Sequence, residues 1–349
     1  MTAKSGSKPL IVVSGPTASG KSGFAIKLAK EINAEIINID SVQVYSGFNI
    51  GAAKCSEKEM EEIPHHLIDV IPADGSCNVA NYCELAKKVI GDIHRRGKEV
   101  ILTGGTTMYI TCLLQGLDDL PDSDSELRQE LEALESTELV GRLKIHDPES
   151  LKVISPQDRI RLVRALEASI ISGKPASQSK RENKLNTVPE YQAFIIILCR
   201  KREELYQRIN QRVSQMMSSG LIEETKSLIA KYGKNLPGLK SLGYAQVMQY
   251  LNAEIKLEEV EETIAMLTRR FAKRQMTYWR NEPPKKNWSV RPNETDKFLE
   301  IDLDEESKGK KGIRVLDWDF GKVVFELVES LDQADRSEVW YLSADRAAS

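Results

Sequence analysis

The run from Pro9 to Ile32 limits what this 349-residue chain can fold into more than any other segment. Pro9 to Ser14 is a β-rich apolar run of buried-strand length. Gly15 to Gly20 is a glycine-punctuated turn. Lys21 to Ile32 has an amphipathic period, with Phe24, Ile26, Leu28, Ala29 and Ile32 largely on one side. The residues where the three meet, Gly15-Pro16-Thr17-Ala18-Ser19-Gly20-Lys21-Ser22, match G-x-x-x-x-G-K-[ST]. The glycines let backbone N–H groups converge on phosphate oxygens, and the helix start adds the positive end of its dipole. Lys21 supplies a point charge, and the Ser22 hydroxyl is a ligand for Mg²⁺. A strand, a glycine loop and a helix in this order predict a P-loop.

The pattern then repeats. Glu35 to Ile39 reads as a second strand ending at Asp40-Ser41, Tyr82 to Arg95 as a helix, and Glu99 to Thr103 as a third strand ending in Gly104-Gly105. Alternating strands and helices predict an α/β fold, a P-loop NTPase-like parallel sheet flanked by helices. From Asp118 to Glu190 the chain has helical periods and no strand. Within it Asp158 to Glu167 is the clearest helix, with Ile160, Leu162, Val163 and Leu166 packing while Arg159, Arg161 and Arg164 face solvent or a ligand. Ser172 to Thr187 reads as a loop. Phe194 to Cys199 restores a buried strand, so the helical stretch is expected to be an insertion. Lys201 to Tyr232 and Val260 to Asn281 read as long helices. In the charged tail, Val315 to Phe320 and Val339 to Leu342 look like strands and Phe325 to Leu331 like a short helix. The expected organisation is a core over 1–117 and 191–288, a helical insertion over 118–190, and an extension of unassigned role over 289–349.

Composition narrows the class. The net charge of −3 excludes little, because a nucleic-acid binder needs its basic residues on one face and not in excess overall. The apolar runs are far too short for a membrane span, and the polar Met1 to Lys8 lacks a secretory h-region. The five cysteines are scattered without C-x-x-C spacing, which fits a reducing cytoplasm. His65-His66 has no cysteine partners at zinc-site spacing. The expectation is a cytoplasmic protein, with no membrane partner, acting as a monomer.

Three further features carry chemistry. Asp40 ends the second strand, at the sheet edge that lines the ligand crevice in open α/β folds. A carboxylate there serves as a Mg²⁺ ligand or as a proton acceptor. The third strand, Glu99 to Thr103, ends in Gly104-Gly105 and not in the acidic residue of a Walker B site, which disfavours motor ATPases and signalling GTPases. Small P-loop transferases remain, and their lids close on phosphates with arginines. Arg208 and Arg212, one helical turn apart after the fourth strand, suit that task. Finally, Thr268 to Arg280 is basic and aromatic. Arg270, Lys273, Arg274 and Thr277 lie along one side, able to follow a phosphate backbone, while Leu267, Phe271 and Tyr278 lie along another. Phe271 and Tyr278 are expected in the core.

Together these pieces resemble the tRNA dimethylallyltransferase family, bacterial type. The resemblance rests on Gly15 to Ser22, Asp40-Ser-Val-Gln-Val-Tyr45, Ile50-Gly-Ala-Ala-Lys54, Pro64-His-His-Leu67, Gly104-Gly-Thr106 with Tyr109, Asp158 to Glu167, Ser241-Leu-Gly-Tyr244 and Thr268 to Arg280, in the family's order. The chain departs from the pattern at Ala52, Cys55 and Thr107, where the family usually has Thr, Pro and Gly. It has a longer tail than the bacterial form usually has, without a zinc finger.

The resemblance implies transfer of a dimethylallyl group from dimethylallyl diphosphate to N6 of adenosine at tRNA position 37, beside the anticodon. The P-loop from Gly15 to Ser22, with Arg208 and Arg212, would then hold the donor's diphosphate. Asp40 would be the base, Thr17 would lie near the leaving oxygen, and Lys21 and Arg212 would stabilise the departing charge. Mg²⁺ would be the cofactor, at Ser22 and Asp40. Asp40, Ser41, Val42, Gln43, Thr106, Gln157, Asp158, Arg159, Ile160, Arg161, Arg164, Arg270, Lys273 and Arg274 would meet the tRNA, gripped through its anticodon stem-loop. Competing readings are an isopentenyltransferase acting on free adenine nucleotides, a P-loop small-molecule kinase, and an RNA-binding protein without catalysis.

Overall fold

The computed structural model describes residues 10–117, 120–186, 191, 193–281, 299–301 and 338–343. Strands β1 (Leu10–Ser14), β2 (Ala34–Ile39), β3 (His65–His66), β4 (Glu99–Gly104) and β5 (Ala193–Cys199) form a parallel sheet in the order β3-β2-β4-β1-β5. Side chains alternate across it, so β1, β2, β4 and β5 each feed two cores. Leu10, Val12, Ile37, Ile39, Val100, Leu102, Ile195 and Ile197 enter one; Ile11, Val13, Ile36, Ile101, Ile196 and Leu198 enter the other. Helix α1 (Lys21–Glu31) closes the second core with Phe24, Ala25, Leu28 and Ala29. Ser56 and Glu59 form a capping box that starts α2 (Glu57–Glu62), which leads into β3. On the first face lie α3 (Val79–Arg95) and α4 (Thr107–Gln115), through residues such as Tyr82, Ile90, Ile110 and Leu113.

The chain divides into two compact units, and Gln115–Glu190 forms the smaller. Its helices are α5 (Ser125–Ala133), α6 (Ser136–His146), α7 (Arg159–Ser172) and α8 (Ala176–Asn186). They have their own core of Leu131, Leu139, Leu143, Leu162, Val163 and Leu166. Glu167, fully buried, is the polar centre of this unit. It accepts from Arg128 (2.6 Å), Ser123 (2.7 Å), Arg164 (2.8 Å) and the Asp124 N–H (3.1 Å).

The larger unit ends with α9 (Arg202–Ser218), α10 (Leu221–Tyr232), α11 (Tyr244–Leu251) and α12 (Leu257–Asn281), all packed into the first core. Two tail strands extend the sheet. β7 (Glu338–Ser343) runs antiparallel to β5 with Ile196 opposite Tyr341, and β6 (Leu299–Ile301) pairs with β7. The expected strand over Val339–Leu342 lies within β7. The strand and helix expected over 315–331 fall outside the described residues. No helix among the described residues is long and apolar enough to cross a membrane.

Several expectations change. The loop expected from Ser172 is mostly α8: Asp147 accepts the Ser177 N–H (2.9 Å) and hydroxyl (2.5 Å), and Ser169 accepts the Ala176 N–H (3.0 Å). Buried acceptors at its start thus override its loop-like composition. The single helix expected over Lys201–Tyr232 is two, because Gly220 adopts φ +97° and ends the first. Neither the short β3 nor α11 is visible as a period in the sequence.

On β2, Glu35 is buried and gathers Arg96 (2.5 and 2.7 Å), Lys98 (2.8 Å) and His66 (2.7 Å). Burial alone pushes its carboxyl pKa up, but the hydrogen bonds from Arg96, Lys98 and His66 outweigh this and hold it at about 2. Glu35→Gln should lower the urea-unfolding free energy at pH 7 by about 1–3 kcal/mol, since its half-exposed partners regain water. The folded pKa lies below the ordinary 4.5, so the charge contributes fully above that pH and is lost as pH falls toward 2. The gap between wild type and variant should close over the same window; a gap independent of pH would assign the effect to packing.

Candidate active site

Parallel register brings three strand ends to one edge. Val13 lies opposite Thr103, and Ile39 opposite Gly104, so the residues that follow β1, β2 and β4 are neighbours. The approach is close. A Cβ on Gly104 would stand 2.0 Å from the Ile39 carbonyl oxygen. At Gly15, φ is +137° and a Cβ would stand 2.2 Å from the Leu198 carbonyl oxygen of β5.

The P-loop is held from outside itself. Arg200 donates to the Ser19 carbonyl (2.9 Å), and Arg208 on α9 donates to that of Ala18 (3.0 Å). Lys21 donates to the Pro16 carbonyl (2.7 Å). The Thr17 N–H donates to Gln275 of α12 (2.9 Å), and Arg212 reaches the Thr17 hydroxyl (3.4 Å). With these carbonyls engaged by cations, the N-terminal amides of α1, which lack helical partners, are the donors left for an anion.

Charge is concentrated here. Burial, and then the neighbouring Arg212, lowers the Lys21 pKa to about 7, against a smaller upward pull from Asp40. Burial also lowers the Arg212 pKa, with Asp40 opposing. The Asp40 carboxyl is raised by burial, and this outweighs the N–H groups of Val42 and Gln43 and the two cations. An anion binding beside Lys21 and Arg212 relieves their mutual repulsion. A carboxylate with a raised pKa is a stronger proton acceptor.

Asp40 also shapes its own turn, because its Oδ1 accepts the N–H groups of Val42 (2.8 Å) and Gln43 (3.1 Å). Ser41 is exposed, while Val42 is half-buried. The Gln43 amide donates to the Ala52 carbonyl (2.9 Å). That second loop is fixed by Glu224, which accepts from the N–H groups of Asn49 (3.1 Å), Ile50 (2.9 Å) and Gly51 (3.3 Å) and from the Tyr244 hydroxyl (2.5 Å). Thr106 is half-buried beside the end of β2, its N–H 3.5 Å from the Ile39 carbonyl. Tyr109, behind it, stacks on Tyr82 at 4.5 Å between ring centres.

Ser22 is exposed on the first turn of α1. No group of three or more His, Cys, Asp or Glu side chains forms a metal cage among the described residues. The Ser22 hydroxyl is an oxygen donor of the kind that could hold a divalent cation.

On α12, Arg270, Lys273, Arg274 and Thr277 are exposed, and Thr268, Ala272, Gln275 and Trp279 are buried. Phe271 is not in the core as expected. It is 37 % exposed, with the Arg274 guanidinium 5.6 Å from its ring. Its position on the helix turns it to the basic side. Tyr278 is half-buried.

Within the smaller unit, Gln157, Ile160 and Arg161 are exposed. Ile160, expected to pack, is 84 % exposed because Leu162, Val163 and Leu166 take the inward side of α7. Of the three arginines expected at the surface, Arg159 is engaged by the carbonyls of Glu132 (2.9 Å) and Leu134 (2.7 Å), and Arg164 by Glu167 and the Pro121 carbonyl (2.7 Å). Asp158 caps α7 through the Arg161 N–H (3.2 Å).

Sequence reasoning missed Arg200, Glu224 and Gln275. Gln275 stands inside the basic run Thr268 to Arg280, where charge drew attention away from a neutral amide. Nothing local marks the bond from Arg200 to Ser19 or those of Glu224 to the Asn49–Gly51 loop, since these partners lie far away along the chain.

Comparison with known proteins agrees with this geometry. The family model described as IPP transferase matches residues 43–282. The chain is similar to tRNA dimethylallyltransferase 1 of Citrifermentans bemidjiense, 43% identical over 78% of this chain and 89% of the relative. It is also similar to the tRNA dimethylallyltransferase of Geobacter sulfurreducens, 40% identical over 85% and 97%. Among solved structures, it resembles the full-length tRNA isopentenylpyrophosphate transferase of Bacillus halodurans, with 37% identity, a TM-score of 0.58, and 78% and 87% of the two chains covered. It also resembles a eukaryotic dimethylallyltransferase acting on tRNA, with 30% identity, a TM-score of 0.68, and 78% and 70% covered. With the P-loop, the Asp40 turn and the matched residues in one fold, the chain belongs to the IPP transferase family.

Proposed function

We propose that this protein transfers the dimethylallyl group of dimethylallyl diphosphate to N6 of the adenosine at tRNA position 37, releasing diphosphate. The observation that carries the reading is Asp40, a half-buried carboxylate at the end of β2, within electrostatic reach of Lys21 and Arg212 at the P-loop. An anion-holding loop and a proton acceptor in one crevice are what this substitution requires. As N6 bonds to C1 of the donor, the C1–O bond breaks and its electron pair leaves with the diphosphate. The N6 proton passes to Asp40. Lys21, Arg212 and the amides at the start of α1 stabilise charge that grows on the leaving group. Thr17, whose hydroxyl Arg212 meets, would lie near the leaving oxygen.

Ser22 would hold Mg²⁺ together with the donor's phosphate oxygens, and the ion would supply further positive charge to the departing diphosphate. Asp40, already faced by two cations, is assigned to the base role and not to the metal. The adenine must leave its stack to reach this crevice. Ser41, exposed, and Thr106, half-buried, would meet it there. Arg270, Lys273 and Arg274 would follow the RNA backbone, with Phe271 beside them as a stacking platform, and Gln157, Ile160 and Arg161 offer the smaller unit's own exposed contact. We place the reaction in the cytoplasm, with its tRNA.

The direct test is transfer of label from dimethylallyl diphosphate, with Mg²⁺, to unmodified tRNA, with AMP as competing acceptor. Label in tRNA alone is expected; label in AMP, or in neither, overturns the reading. Asp40→Asn keeps the acceptor for Val42 and Gln43 but removes the base. Its kcat should fall about 10²- to 10⁴-fold while tRNA affinity holds. Because the Lys21 pKa is lowered to about 7, the charged amine is lost as pH rises through that value in the free protein. Diphosphate binding at pH 7.5 should therefore take up about one proton, read by calorimetry in buffers of different ionisation enthalpy, and Lys21→Met should abolish the uptake. Replacing Arg270, Lys273 and Arg274 by Ala should reduce the slope of log Kd against log salt for tRNA by about 2; an unaltered slope would put the RNA surface elsewhere.

A further inference from the structure

Gln275 uses both ends of its side-chain amide on the site. It is 5 % exposed, on the buried side of α12 in line with Thr268, Ala272 and Trp279. Its Oε1 accepts the Thr17 N–H (2.9 Å), and its Nε2 donates to the Gly105 carbonyl (2.9 Å). One side chain thus ties the loop after β1 to the loop after β4. The fit is tight, since a Cβ on Gly105 would stand 2.4 Å from Gln275 Nε2. Gly105 is not among the positive-φ glycines, so space around that amide, and not backbone angle, is what excludes a side chain there. The two loops carry different halves of the reaction. Thr17 meets Arg212 on the donor side, and Thr106 follows Gly105 beside the strand end that leads to Asp40. The Thr17 amide, taken by Gln275, is withdrawn from the set that could meet phosphate. Its bond therefore serves placement of the loop and not contact with the donor.

We propose that Gln275 is a positioning residue that sets the P-loop against the Gly105–Thr106 loop, and so fixes the separation between the donor's leaving group and the acceptor amine beside Asp40. This rests on the transferase reading above. A displacement of about 1 Å between reacting groups costs up to about 100-fold in rate, so a latch of two hydrogen bonds is felt mainly in turnover.

The test uses the full-length chain and three variants. Gln275→Met keeps the volume without either hydrogen bond. Gly105→Ala leaves Gln275 in place but pushes its amide aside. The third combines Gly105→Ala with Gln275→Met. Each is assayed for kcat, for KM toward donor and tRNA, and by calorimetry for binding of inorganic diphosphate. Both single variants should lose about 10- to 100-fold in kcat with tRNA KM within about threefold. The double variant should be no worse than the poorer single, because both break one link. Wild-type kcat in Gln275→Met, a loss confined to tRNA KM, or multiplying losses in the double variant would overturn the proposal. Should Gln275→Met fail to fold, Gly105→Ala carries the same test, its conflict being with the far end of one side chain. If the wild type transfers no label at all, the transferase reading falls. The latch falls with it, whereas an active wild type beside an unaltered kcat in Gln275→Met sinks the latch alone.

Discussion

Cationic side chains grip the backbone carbonyls of the P-loop, and the rest of the site depends on that grip. Lys21, Arg208 and Arg200 engage the carbonyls of Pro16, Ala18 and Ser19 in turn. A glycine-rich loop has little conformational preference of its own, so its shape must be imposed. Once the carbonyls point to cations, the amides at the start of α1 are free to meet an anion. The same arginine-bearing helix, α9, sends Arg212 to the Thr17 hydroxyl. The side chains that shape the loop and those that read its ligand are thus neighbours on one element.

That arrangement gathers positive charge on half-buried side chains, and the pKa directions follow. Lys21 and Arg212 are both lowered, by burial first, and Asp40 is raised by burial despite their attraction. Lys21 and Arg212 repel each other until an anion offsets them, with half-buried Asp40 the carboxylate that opposes this. Preorganised charge of this kind is what stabilises a leaving group without reorganisation at the moment of reaction. Glu35 and Glu167 show the contrasting structural use of buried carboxylates, each saturated by cations and held below the usual carboxylate range.

Helix α12 joins two tasks in one period. Its buried side carries Ala272, Gln275 and Trp279, and its exposed side carries Arg270, Phe271, Lys273 and Arg274. The Asp40 turn is likewise built in layers, through Gln43 to Ala52 and from Gly51 to Glu224 and Tyr244. A Cβ on Gly51 would stand 2.5 Å from the Tyr244 ring, so the small residue and the aromatic ring are matched.

The sequence by itself determined the parts that are local or periodic. The strand, glycine loop and helix of residues 10–31, the continuous apolar strands of a sheet covered on both faces, and Asp40 at a strand end all follow from short-range pattern. Arg208 and Arg212 were legible too, because one helical turn separates them. Where pattern misled, a tertiary contact was the cause: Asp147 and Ser169 turned a polar stretch into α8, and Ile160 faced outward because its neighbours filled the core. Only the tertiary structure decided that Gln275 links Thr17 to Gly105, that Arg200 holds Ser19, and that Arg159 and Arg164 serve the smaller unit's own bonds. Those partners lie far apart along the chain, or depend on which rotamer a crowded site allows. A hydrogen bond across 258 residues leaves no trace in local composition, and only folding brings its two ends within 2.9 Å.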